Sequence, residues 1–238
     1  MRAAILVVLA LALGGCVGPM PAPAPAPDQP LIGPDGRPTA RGAALQFLQV
    51  VARVEPVAEA VCRDRGIAAN CDIRIVVDDR PGQPPNAFQT EDQAGRPIVG
   101  FTLALIADAR NADELAFVLG HEAAHHIAGH IAQQQQQALS GALVAAAMAQ
   151  ANGLSPDQVR KAQAFGAQVA VRSYSKQFEF EADALGAEIA LLAGYDPLRG
   201  VGFFDRLPDP GDRFLGSHPP NAQRKAQVAA SVRRLRGI

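Results

Sequence analysis

The spacing of hydrophobic and polar positions changes along the chain, and each spacing predicts an element. Across residues 43–61, Leu45, Leu48, Val51, Val54 and Val57 recur at helical intervals, while Pro56 is expected to kink or split that helix. Ile73-Arg74-Ile75-Val76-Val77 is β-branched and bounded by turn residues, which predicts a strand. Asn86-Ala87-Phe88 and Pro97-Ile98-Val99-Gly100-Phe101 predict two more, with a polar loop over 89–96 between them. Asn111 then opens a helix with Glu114 as its capping-box partner. Leu115, Val118, Leu119, Ile127 and Ile131 form its apolar face, and the glutamine run at 133–137 is its solvated end. Residues 138–151 are small and apolar but too few to span a bilayer, so they read as a buried or lid-like helix. Ser155-Pro156-Asp157-Gln158 is another helix start, with a pattern that continues through Glu179 to Leu192. Gly194 suits the cap of that helix, Asp196-Pro197 starts the next, and a basic helix over 221–236 closes the chain. Few strands followed by many helices predict an α+β fold, mainly helical with a small β-sheet.

The first forty residues carry a different pattern. Arg2 precedes a short apolar run that ends in Leu13-Gly14-Gly15-Cys16, similar to the lipobox of bacterial lipoproteins. On that reading residues 1–15 are a signal peptide and Cys16 is lipidated. Residues 16–40 are a Pro/Ala-rich tether that favours extended polyproline II, and the folded domain occupies 41–238. The expected address is the periplasmic face of a bacterial envelope membrane. Val17 after the cysteine favours the outer membrane. In an exported chain the two remaining cysteines, Cys62 and Cys71, predict a disulfide.

Composition narrows the function. Net charge is −1 and the 238 residues include no Trp and only two Tyr, so neither a nucleic-acid partner nor an acidic polymer is expected. Hydrophobic content of 48% and charged content of 19% fit one globular domain with a core.

Candidate chemistry concentrates in His121-Glu122-Ala123-Ala124-His125. Two histidines four apart project from one helix face at the spacing needed for adjacent corners of a zinc tetrahedron. Glu122 stands beside the first and can take a proton from a metal-bound water. At about 100° per residue, His126 and His130 fall elsewhere on a continuous helix, so they are expected to bond locally or face solvent. A third ligand is needed, and Glu179 and Asp183 are also four apart on a helix. One of the two could bind zinc while the other receives the free N–H of a bound imidazole. Glu181 is expected to face solvent. His218, between Ser217 and Pro219, sits on a stiffened loop. It could reach the open metal position as an oxyanion donor or as a latch.

From about Asn86 to Arg224 the chain resembles the HtpX-like and CAAX-prenyl-protease-like zinc metallopeptidases, peptidase family M forty-eight, and especially their periplasmic lipoprotein members. The resemblance rests on Asn86-Ala87-Phe88, Leu119-Gly120-His121-Glu122-Ala123-Ala124-His125, Glu179-Phe180-Glu181-Ala182-Asp183, Gly194-Tyr195-Asp196-Pro197, and His218-Pro219 followed by Arg224. It implies a compact gluzincin fold, one zinc ion per chain and cleavage of unfolded or misassembled proteins. It also implies Glu179 as the ligand, with Asp183 and Arg224 supporting the site. Asn86, Ala87 and Phe88 are expected to pair with an extended substrate. A different reading makes the chain a zinc-bearing chaperone or assembly factor whose protease is latent; the intact Glu122 favours the enzyme.

Overall fold

The computed structural model describes residues 30–209 and 219–237. Cys16 and the expected signal peptide lie outside the described residues, as does His218. Of the expected tether, the described part folds back on the domain. Ile32 bridges Pro38, and the Thr39 hydroxyl donates to the Pro30 carbonyl at 2.9 Å.

Thr39 also caps the first helix, α1 (Ala40–Arg65), accepting from the Gly42 N–H, and Gly66 ends it in the left-handed conformation (φ 63°). The helix runs unbroken through Pro56, which corrects the expected split. Pro56 and Ala52 are both exposed, so the carbonyl that proline leaves without its helical donor faces water. The buried face is also shifted from the expected one. Phe47, Val50, Val54, Ala58 and Val61 point inward, while Leu45 and Leu48 are exposed.

Three strands follow: β1 (Arg74–Asp78), β2 (Ala87–Glu91) and β3 (Pro97–Thr102). Their order is β1-β3-β2, with β1 parallel and β2 antiparallel to β3. β2 extends three residues into the expected polar loop, because Asp92 accepts from the Ala94 and Arg96 N–H groups and closes a tight hairpin. Val99 and Phe101 of β3 enter the core against Phe47. The short α2 (Leu103–Asp108) then leads to α3 (Ala112–Ile127), which is buried on nearly every side. Asn111 caps α3 as expected, but the Glu114 carboxylate reaches the Arg110 N–H and the Arg206 guanidinium instead of closing a capping box.

α3 does not continue into the glutamine run. Gly129 adopts φ 69° and breaks the helix, so α4 (His130–Ala151) starts afresh. α4 forms a hairpin with α5 (Pro156–Leu192), whose Ser155 and Gln158 complete a capping box. The two helices meet where a Cβ on Gly141 would lie 2.4 Å from the Gly166 carbonyl. Of the two readings of residues 138–151, buried or lid-like, the first fails for the large side chains: Leu139, Leu143, Val144 and Met148 are each at least 60% exposed. Ala146 and Ala149 of α4 pack against Val159 and Ala162 of α5, leaving the larger residues outside.

Asp196 caps α6 (Pro197–Gly200), a 3-10 turn spans Val201–Arg206, and α7 (Asn221–Arg236) packs back on α5. Among the described residues no helix is long and apolar enough to cross a membrane. Sheet and helices together make a mainly helical α+β domain.

Candidate metal centre

α3 and α5 cross at two glycines, and this crossing assembles the site. A Cβ on Gly120 would lie 2.7 Å from the Gly186 carbonyl, and one on Gly186 would lie 2.7 Å from the His121 backbone nitrogen. Only hydrogen at both positions lets the helix carrying His121 and His125 come this close to the one carrying Glu179 and Asp183. Gly186 follows Glu179 by seven positions and Asp183 by three, so all three share one face of α5. That spacing is the sequence signal that marks Gly186, which lies outside the metal-site motifs.

The resulting donor set is compact. His121 Nε2 and His125 Nε2 stand 3.1 Å apart, and the Glu179 carboxylate oxygens lie 3.6 Å from the first and 3.7 Å from the second. Adjacent ligands of tetrahedral zinc are separated by about 3.4 Å, given zinc–nitrogen bonds of about 2.0–2.1 Å. These three residues are also a cluster whose ligand atoms lie within 4.8 Å of one another. Two imidazoles and one carboxylate therefore fit a metal with one position left for water or substrate.

Supporting contacts hold the first imidazole. His121 Nδ1 is 3.0 Å from Asp183 Oδ1, and Asp183 is fully buried. Arg224 clamps that carboxylate with both ends of its fork, Nη2 to Oδ1 at 2.6 Å and Nε to Oδ2 at 2.8 Å. It also lies 3.1 Å from Glu179 and stacks over the Phe204 ring at 4.1 Å. Burial opposes the imidazolium of His121, yet the hydrogen bond to Asp183 overcomes it and holds the pKa above the ordinary histidine value. His125 goes the other way. Burial first, then the neighbouring charge of His121, push it down to about 3, so it stays neutral with a lone pair to offer.

Glu122 lines the same cleft, of about 440 Å³, together with Asn86, Ala87 and Phe117. Phe88 lies across Gly100 instead, its ring filling the space where a Cβ would be. A larger groove of about 980 Å³ runs along the α4/α5 hairpin. None of its lining among the described residues is ionisable, whereas the smaller cleft is lined by His121, Glu122, His125, Glu179 and Arg224. Cys62 and Cys71 are joined away from the cleft, their Cα atoms 5.7 Å apart, and tie the end of α1 to the segment leading into β1.

The other histidines of α3 and α4 correct the sequence reading. His126 is buried, and its Nε2 reaches the Asn70 carbonyl at 2.6 Å, 56 positions away. His130 does not face away from the ligands. The break at Gly129 voids the 100° count, and His130 is buried with Nδ1 2.8 Å from His125 Nδ1. Glu181 is half exposed, but its Oε2 lies 3.4 Å from His130 Nε2.

Curated proteins offer no match to the chain. A family model described as Peptidase family M48 matches residues 48–232, which takes in α3, α5 and most of α7. A match over well more than half of the length shows the family: this chain belongs to peptidase family M48, a family of metallopeptidases.

Proposed function

We propose that the protein is a zinc metalloendopeptidase held at the periplasmic face of a bacterial envelope membrane by a lipid on Cys16. The observation that carries the zinc reading is the convergence of His121, His125 and Glu179 within one cleft that Glu122 also lines. When bound, zinc supplies Lewis-acid chemistry, lowering the pKa of a water to about 7 and polarising the scissile carbonyl. Glu122 accepts the proton of the attacking water and passes it to the leaving amine. Asp183 and Arg224 keep the His121 ring and tautomer in place. β2 pairs with β3 alone among the described strands, and Asn86 and Ala87 border the cleft. Its open edge suits an extended substrate strand running past Glu122. A chain that must lie extended is one that has lost its fold, which favours unfolded or misassembled envelope proteins as substrates.

The cellular address draws on the lipobox-like Leu13-Gly14-Gly15-Cys16 and on the Cys62–Cys71 disulfide, which suits an oxidising compartment. Purified full-length protein should carry about one zinc per chain and hydrolyse casein to internal fragments. Chelation should stop hydrolysis and added zinc should restore it. Hydrolysis indifferent to chelation would contradict the assignment, and release of terminal residues alone would contradict the endopeptidase reading.

A further inference from the structure

His121 and His125 are held by different chemistry. The first donates its Nδ1–H to a buried carboxylate, Asp183. The second has Nδ1 2.8 Å from another imidazole nitrogen, Nδ1 of His130. Two ring nitrogens that close need one donor and one acceptor. If His125 offers Nε2 to a metal, its proton sits on Nδ1, so His125 is the donor. His130 Nδ1 must then be bare, which leaves the His130 proton on Nε2. That atom faces Glu181 Oε2, an acceptor, at 3.4 Å. A single assignment of protons therefore satisfies the whole chain from His125 through His130 to Glu181.

The fold builds this arrangement deliberately. His130 is 1% exposed and stacks on Phe178 with ring centroids 4.4 Å apart and planes 22° from parallel. Gly129 in the left-handed conformation turns the chain so that the first residue of α4 comes back under His125. Phe178 and Glu181 flank Glu179 on α5, so the segment that supplies the third ligand also grips His130.

We propose that His130 is the positioning residue of the second imidazole ligand, fixing the ring and tautomer of His125 as Asp183 fixes those of His121. This rests on the reading of His121, His125 and Glu179 as a zinc site. Its purpose is pre-organisation: a ligand already turned to the metal with the correct nitrogen bare binds more tightly.

Three variants of the full-length protein separate this role from packing. His130→Phe keeps the ring stacked on Phe178 but removes the acceptor. His130→Asn loses the stack but keeps an acceptor near the Nδ1 position. Glu181→Ala, at a half-exposed site, removes the group that orients His130. Zn²⁺ affinity is read by chelator competition, and the His125 Nδ1–H proton is read by NMR in the zinc-loaded protein. His130→Phe should weaken Zn²⁺ binding about 10- to 100-fold, as loss of an outer partner of a ligand typically does. Its His125 Nδ1–H signal should be lost to exchange. His130→Asn should bind at least several-fold more tightly than His130→Phe and keep that signal. Glu181→Ala should shift the signal while losing less than about tenfold in affinity. Wild-type affinity with an unmoved signal in His130→Phe would overturn the proposal, and so would equal losses in the Phe and Asn variants. Should His130→Phe not fold, an unmoved signal in Glu181→Ala overturns it alone. A wild-type chain that does not bind Zn²⁺ would remove the metal reading itself.

Discussion

The proposed metal site gives each carboxylate near it a separate job, and single substitutions distinguish them. If Glu179 is a ligand, Glu179→Ala should lower Zn²⁺ affinity by more than the roughly 10- to 100-fold typical of outer partners. Glu181→Ala, two positions on, should cost far less; the reverse order in a chelator titration would misplace the ligand. Arg224→Lys keeps the charge but cannot reproduce the two-pronged grip on Asp183. It should weaken Zn²⁺ binding about 10- to 100-fold with the fold retained, and wild-type affinity would show that the fork is dispensable. The pH response follows from His121. Its pKa is raised by the bond from Nδ1 to Asp183, and a metal must displace the other proton of that imidazolium, the one on Nε2. Zn²⁺ affinity should therefore fall by up to about tenfold per pH unit as pH drops below that raised value. An affinity flat from neutral to acid pH would refute the linkage.

At the scale of elements, the α3/α5 crossing is the most sensitive feature. Gly186→Ala places a methyl against the His121 backbone, which leaves the helices to part or strain. Overpacking of this kind costs about 1–3 kcal/mol, and each kcal/mol lowers Tm by roughly 2–4 °C in a domain of this size. Zn²⁺ affinity should fall with Tm, since the two ligand helices separate; unchanged values of both would remove the crossing from the account. The disulfide closes a loop of nine positions, so replacing both Cys62 and Cys71 by Ser should cost about 2–3 kcal/mol in thermal unfolding. A loss near zero would mean that packing alone holds that corner. Elements with strong local signals were legible in the sequence. Ser155-Pro156 set the start of α5 and the left-handed Gly194 lies just past its end, while α7 follows the basic pattern over 221–236. What was not legible depended on a single torsion or on contact across the chain. Gly129 reads as a tolerable helix glycine until its φ of 69° places His130 beneath His125, and nothing local marks that turn. Pro56 reads as a breaker until burial shows that it lies on the wet side of α1. The pairing of His121 with His125 was visible because four-residue spacing fixes a shared helix face whatever the tertiary structure.

For the whole molecule, the architecture brings a candidate metal site on two helices and the start of the edge strand β2 to one cleft, and the proposed anchor lies at the far N-terminal end of the chain. If Cys16 carries the lipid, Cys16→Ser should move the protein from the membrane to the soluble fraction, because no described helix can span a bilayer. Retention after a high-salt wash would call for a different anchor. The central claim is that this cleft hydrolyses peptide bonds with zinc on His121, His125 and Glu179 and with Glu122 as the base. The most direct measurement compares Zn²⁺ content and casein hydrolysis in wild-type protein and Glu122→Gln. The account predicts equal zinc, near one per chain, and hydrolysis lowered roughly 100- to 10,000-fold in the variant. Full hydrolysis by zinc-loaded Glu122→Gln would contradict it.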